Sequence, residues 1–159
     1  MPVSWNEIRD RALAFSKEYA DESSEDAEAK SFWDGFFNVF GVTRRRLASF
    51  EEPVKRRADG GKTSTGYIDL FWKGQLIVEH KSRGKSLDKA YAQALDYFPG
   101  IPERDLPRYI LVSDFAHLRL YDLDQVCIGS SRLKTFTSTS SASVSSRVTR
   151  RRRSSRRIR

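Results

Sequence analysis

Two carboxylates and an ammonium fall close together in one stretch of this chain, Gly66-Tyr67-Ile68-Asp69-Leu70-Phe71-Trp72-Lys73-Gly74-Gln75-Leu76-Ile77-Val78-Glu79-His80-Lys81-Ser82. Asp69 and Glu79 offer hard oxygen donors of the kind that hold Mg²⁺, an ion that binds through one or two carboxylates and keeps several waters. Such an ion lowers the pKa of a bound water and shields phosphate oxygens, which phosphodiester hydrolysis needs at its anionic transition state. The main-chain carbonyl of His80, between the two charged side chains, is a further candidate metal ligand. Lys81 can orient or deprotonate the water, or stabilise charge that builds on phosphate. The chemistry this predicts is Mg²⁺-dependent phosphodiester hydrolysis.

These residues converge only if the backbone positions them. Side chains alternate faces along a strand, so Glu79 and Lys81 share one face while Val78 and His80 take the other. Strands over Tyr67–Trp72 and Leu76–Lys81 are predicted, joined by Lys73-Gly74-Gln75. A three-residue loop pairs Trp72 with Leu76 and therefore Asp69 with Glu79. A two-residue loop sets Asp69 against Val78 and breaks the constellation unless a bulge intervenes. On an exposed edge hairpin, three such charges are ordinarily a solvated face with cross-strand ion pairs. Here Ile68, Leu70, Phe71, Leu76, Ile77 and Val78 are apolar on both faces, which predicts a buried hairpin where unpaired charge is costly. Glu28, four and eight residues before Phe32 and Phe36, can reach the same centre from a helix; its bland reading is an exposed helix-start carboxylate.

Around this hairpin the chain reads as an α/β unit. Ser4-Trp5-Asn6-Glu7 is a capping-box pattern opening a helix to about Tyr19. After the acidic break from Asp21 to Asp26 comes a second helix with Phe32, Trp33, Phe36, Phe37 and Phe40 at helical spacing and Gly41 as its stop. Leu47, Phe50 and Val54 suggest a first strand interrupted by Pro53, followed by a turn at Asp59-Gly60-Gly61-Lys62. Ser86 caps a helix to Tyr97 with Ala90, Ala94, Leu95 and Phe98 on its apolar side, and strands follow over Arg108–Ser113 and His117–Asp122. The expected architecture is a mixed β-sheet flanked by helices in the order α-α-β-β-β-α-β-β.

Composition bounds the remainder. A chain of 159 residues is about one domain. Its one cysteine, Cys127, excludes an intramolecular disulfide and a cysteine-based zinc site, and two histidines without partners at metal-ligand spacing make a histidine zinc site unconvincing. No apolar run reaches the roughly 18 residues of a membrane span, and no signal-peptide pattern is present; the expected setting is the cytoplasm. The net charge of +8 is misleading as a general sign of nucleic-acid binding. Of the 29 Lys and Arg, eight arginines lie in residues 147–159, leaving 21 bases against 21 acids. Residues 1–124 are thus expected to form the folded domain. Residues 125–159, dominated from 130 by Ser, Thr and Arg, are expected to be a disordered tail, whether selected for polyanion binding or produced by a frameshift or truncation. Ser82-Arg83-Gly84-Lys85 carries glycine and two cations, a weak phosphate-binding signal that suits contacts of Arg83 and Lys85 with a DNA backbone.

The D-x9-E-x-K spacing after a helix and a strand resembles the PD-(D/E)XK nuclease superfamily, with Asp69, Glu79 and Lys81 on the motif positions and Ile68 in place of the proline. Gln93-Ala94-Leu95-Asp96-Tyr97 is similar to the Q-x3-Y pattern of RecB-like members. That resemblance implies a restriction-endonuclease-like core that cleaves double-stranded DNA, with Gln93 at the catalytic site and Tyr97 beside it or at the DNA backbone. Several blocks between about residues 25 and 124 resemble the N-terminal nuclease region of Mme-like type IIL enzymes, which fuse a nuclease to an adenine-specific DNA methyltransferase. This implies that Glu28 is the helical acid and that Lys85 borders the cleft. It also implies methyltransferase and target-recognition parts as partners, for which this chain shows neither a glycine-rich cofactor loop nor an amino-methylation motif. From Gln125 onward nothing resembles that family. The alternative function is a non-catalytic DNA-binding module or an inactive fragment of such a fused enzyme.

Overall fold

The structure, a computed structural model, describes residues 3–57, 63–124 and 127–132. Helices α1 (Trp5–Glu18) and α2 (Glu25–Val39) are followed by strands β1 (Ser49–Arg57), β2 (Thr63–Trp72) and β3 (Leu76–His80). Helix α3 (Leu87–Asp96) precedes β4 (Tyr109–Ser113), β5 (His117–Asp122) and β6 (Cys127–Arg132). Ser4 and Ser86 cap α1 and α3 as their positions predict, each hydroxyl accepting the main-chain N–H three residues on, at 3.3 Å. Gly41, at φ 71°, follows α2 in the left-handed conformation that lets the chain leave the helix.

Among the described residues the strands form one six-stranded sheet whose spatial order follows the chain. Its pairings are antiparallel except β3 with β4, which are parallel and joined through α3. A parallel pair needs a crossover, and α3 supplies it. The mixed sheet with helices on both faces is the expected architecture, with three departures. Pro53 does not interrupt β1; it pairs opposite Tyr67 on a strand at the sheet edge, where a missing N–H is tolerated. Leu95, expected on the apolar side of α3, is 37% exposed. The sheet also continues past the boundary expected at Asp124, because Cys127–Arg132 adds β6 along all of β5. Serine content hid this strand: edge pairing to β5 draws on main-chain hydrogen bonds rather than on an apolar pattern. The turn expected at Asp59–Lys62 and the tail from residue 133 lie outside the described residues.

Each sheet face carries its own core. Phe15, Phe32, Trp33 and Phe37 of α1 and α2 pack on Leu70, Val78 and Leu111. Ala90, Ala94 and Tyr97 pack on Ile68, Phe71, Ile77, Ile110 and Val112 at the opposite face. Burial of these side chains, worth about 1.5–3 kcal/mol for each large one, clamps the β2–β3 hairpin between helices. Among the described residues no helix is long and apolar enough to cross a membrane.

Candidate active site

The hairpin loop has the three-residue form, and Trp72 pairs with Leu76, Phe71 with Ile77 and Leu70 with Val78. One further step would set Asp69 against Glu79. There the ladder ends, and the Asp69 carboxylate replaces a backbone acceptor: its Oδ2 takes the His80 N–H at 2.7 Å. The other neighbour of β2 breaks at the same point. The β1–β2 pairs run on both sides of Glu51 and Asp69 but not through them, and Glu51 adopts φ 53°. Strict alternation along β2 is lost as well, since Ile68 and Phe71 belong to one core and Leu70 to the other. Asp69 therefore sits at a local distortion, where a side chain can be aimed away from its regular direction.

Glu79 follows Ile77 toward α3, and its carboxylate is fully buried. The Lys81 ammonium stands 3.5 Å from Glu79 Oε2, yet neither carboxylate oxygen has a hydrogen-bond partner. Burial and, after it, the Asp69 charge push the Glu79 carboxyl up to about 8, with Lys81 pulling the other way. Burial also raises Asp69; the His80 N–H and Lys81 oppose this, and Glu25 and Glu51 add to it. Without a cation the pair thus holds a proton near neutral pH, two acids sharing a site too dry for two charges.

Asp69 borders a cavity of about 200 Å³ whose walls include Glu25, Asp26, Lys30, Trp33 and Glu51. Helix α2 lines it with Glu25, Asp26, Ala27, Ala29, Lys30 and Trp33, among which Glu25, Ala29 and Trp33 recur at i, i+4 and i+8. Glu28, expected here, belongs to the adjacent stripe with Phe32 and Phe36. That stripe meets α1: Phe32 lies 4.9 Å from Phe15 and 5.1 Å from Tyr19 between ring centroids. The Glu28 charge helps raise the Tyr19 phenol, whose largest perturbation is burial. Glu25 and Asp26 are the helical acids on this cavity, and of the two the Glu25 charge is the one that acts on Asp69. The sequence signal of Glu25 was weak, because Glu22, Glu25, Asp26 and Glu28 look alike; only the four-residue step through Ala29 to Trp33 marks it. Among the described residues no three His, Cys, Asp or Glu side chains form a ready-made metal cluster.

The His80 side chain lies on the opposite face, as alternation predicts, fully buried against Phe32, Trp33 and Phe115, the last 4.2 Å away between centroids. Burial lowers its pKa to about 4, and both ring nitrogens lack partners. Any ligand role for this residue thus falls to its main chain.

Two expected DNA contacts are committed elsewhere. The Arg83 guanidinium donates to the carbonyls of Glu22 at 2.7 Å, Ala20 at 2.9 Å and Tyr19 at 3.3 Å, satisfying the C-terminal end of α1. Tyr97 is 2% exposed; its hydroxyl donates to the Tyr67 carbonyl at 2.9 Å and accepts from Gln93 Nε2 at 3.0 Å. Gln93 thereby reaches β2 through Tyr97. Lys85 is exposed and available to solvent.

A family model described as "MmeI, N-terminal domain" matches residues 10–153 of this chain. The match runs well past Gln125, so the expectation that the family likeness ends there is corrected. Among curated proteins none matches. A cryo-electron microscopy structure titled as a DrdV–DNA complex is similar at 16% identity and a TM-score of 0.48, over 79% of this chain and 12% of that one.

Proposed function

Because the chain belongs to the MmeI N-terminal domain family, we propose that it is the nuclease module of a restriction–modification enzyme, hydrolysing DNA phosphodiesters with Mg²⁺. The observation that carries this reading is the Glu79 carboxylate, buried beside Asp69 and Lys81 with both oxygens unsatisfied. A buried carboxylate whose oxygens make no hydrogen bond is costly even with an ammonium 3.5 Å away, and Glu79 and Asp69 together are hard donors that a divalent cation satisfies. The residue set fits Mg²⁺, which takes one or two carboxylates and completes its shell with water. Asp69 and Glu79 would hold it, with the His80 carbonyl as a main-chain candidate between them. Bound there, the ion supplies a water of lowered pKa and neutralises phosphate charge.

The chain's own groups do the rest. The His80 N–H holds the Asp69 carboxylate by one oxygen. Lys81, with 22% of its side chain exposed, is placed to donate to a phosphate oxygen or to hold the attacking water. Gln93 and Tyr97 support β2 from α3. Target recognition and methylation would belong to other parts of the enzyme, in keeping with the type IIL resemblance.

The test is Mg²⁺-dependent cutting of duplex DNA by the full chain, with Asp69→Ala as control and isothermal titration of Mg²⁺ alongside. Metal-dependent cutting lost in the variant supports the nuclease. Failure of Mg²⁺ to bind at all would overturn it.

A further inference from the structure

We propose that Glu25 is a positioning residue for Lys81: by gripping Ser82 it fixes the chain that emerges from β3 and holds the lysine ammonium beside Glu79. This rests on the nuclease reading of Lys81 and adds a residue to it.

Lys81 lies one residue past the end of β3, where the sheet no longer dictates its direction. Its N–H still reaches the Ser113 carbonyl at 2.8 Å. The next residue leaves the sheet altogether. Ser82 donates both its N–H, at 2.8 Å, and its hydroxyl, at 3.2 Å, to the same oxygen of Glu25, 57 residues earlier at the start of α2. An ionised acceptor makes such bonds roughly twice as strong as neutral ones. Two more ties follow at once. Arg83 is bound to the carbonyls that end α1, and the Gly84 N–H donates at 3.2 Å to Asp114, a buried carboxylate on the β4–β5 turn. The segment beginning at Ser82 is therefore strapped to both N-terminal helices and to the turn between β4 and β5.

Glu25 differs from the other ties in its place. It borders the same cavity as Asp69. This carboxylate sits where the Ser82 grip and the acidic cleft meet, so movement of Glu25 displaces Lys81 relative to Glu79. Misplacing a reacting group by about 1 Å costs on the order of 100-fold in rate.

The experiment compares wild type, Glu25→Ala, Glu25→Gln and Ser82→Ala in the full chain, by single-turnover DNA cleavage and by hydrogen exchange at the Ser82 amide. Glutamine keeps an acceptor oxygen, so Glu25→Gln is expected to stay within a few-fold of wild type in both measurements. Glu25→Ala is expected to lower the cleavage rate about 10- to 100-fold with DNA affinity unchanged, and to speed Ser82 exchange at least tenfold. Ser82→Ala, which loses only the hydroxyl, should fall between. If Glu25→Ala exchanges faster but cuts normally, Glu25 is a structural staple and the proposal fails. If Glu25→Gln is as inactive as alanine while Ser82 stays protected, the negative charge acts directly and the proposal also fails. The exchange readout stands without activity. Slow Ser82 exchange in wild type that Glu25→Ala leaves unchanged overturns the grip itself, whereas an inactive wild type with the expected exchange pattern overturns only the nuclease reading.

Discussion

The Asp69 carboxylate and the His80 N–H, 2.7 Å apart, join β2 to β3 at the point where their ladder ends. One side chain thus closes the hairpin with one oxygen and carries charge into the cleft. The two roles separate under substitution. Asp69→Asn keeps an acceptor for His80 and is expected to cost less than about 1 kcal/mol of stability. Asp69→Ala orphans a buried N–H and should cost about 1–3 kcal/mol. Both should abolish cleavage; urea melts beside activity assays check this, and an active Asp69→Asn protein would contradict the ligand role.

Glu79 predicts an unusual pH dependence in the absence of divalent cations. Its native pKa is raised to about 8 from an ordinary 4.5. Between those values the native state keeps a proton that the unfolded chain releases. The stabilising contribution is whole below 4.5 and declines as pH rises toward about 8. Glu79→Gln should remove this decline, and Mg²⁺ should offset it in wild type by binding the ionised native form. Denaturant titrations across this range, with and without metal, measure the slope; a slope unchanged by Glu79→Gln would refute the assignment.

His80 acts in the opposite direction. Its native pKa falls to about 4 from 6.5, so the unfolded chain gains a proton in this window that the native state does not. Stability from this residue is present above 6.5 and is lost as pH falls toward 4. His80→Phe keeps an aromatic ring against Phe32 and Phe115 and removes two unpartnered nitrogens. At pH 7 it is expected to change stability by no more than about 1.5 kcal/mol. The difference between variant and wild type should then shift in the variant's favour on acidification.

Tyr97 separates a fold contact from a DNA contact. Tyr97→Phe removes a buried hydroxyl that links Gln93 to the Tyr67 carbonyl, and should cost about 1–3 kcal/mol by leaving that carbonyl unpaired. DNA affinity and its salt slope should be unchanged, since no phosphate contact is lost. Filter binding at several salt concentrations decides it; a shallower slope would restore Tyr97 to the DNA surface.

The hairpin and its register were legible in the sequence because both rest on local rules. A period of two sorts Glu79 from His80, and the three-residue loop at Lys73–Gln75 dictates which residues pair. Helix starts at Ser4 and Ser86 were legible for the same reason, their hydroxyls reaching only three residues along the chain. Strand β6 was not: its pairing is made by main-chain atoms, and its residues carry no apolar alternation to announce it.

What the sequence by itself determined is the grouping of Asp69, Glu79 and Lys81 on one hairpin; the fold sets Lys81 one residue beyond its second strand. Only the tertiary structure decided which helical acid faces them, and which cations and phenols are already committed. Helical periodicity places Glu25 with Trp33 and Glu28 with Phe32, but leaves open how α2 is rotated about its axis against the sheet. Packing of Phe32 and Phe36 on α1 settles that rotation and delivers Glu25. The bonds that occupy Glu25 and Arg83 span 57 residues and more, a separation at which spacing carries no information and only the folded chain brings donor to acceptor.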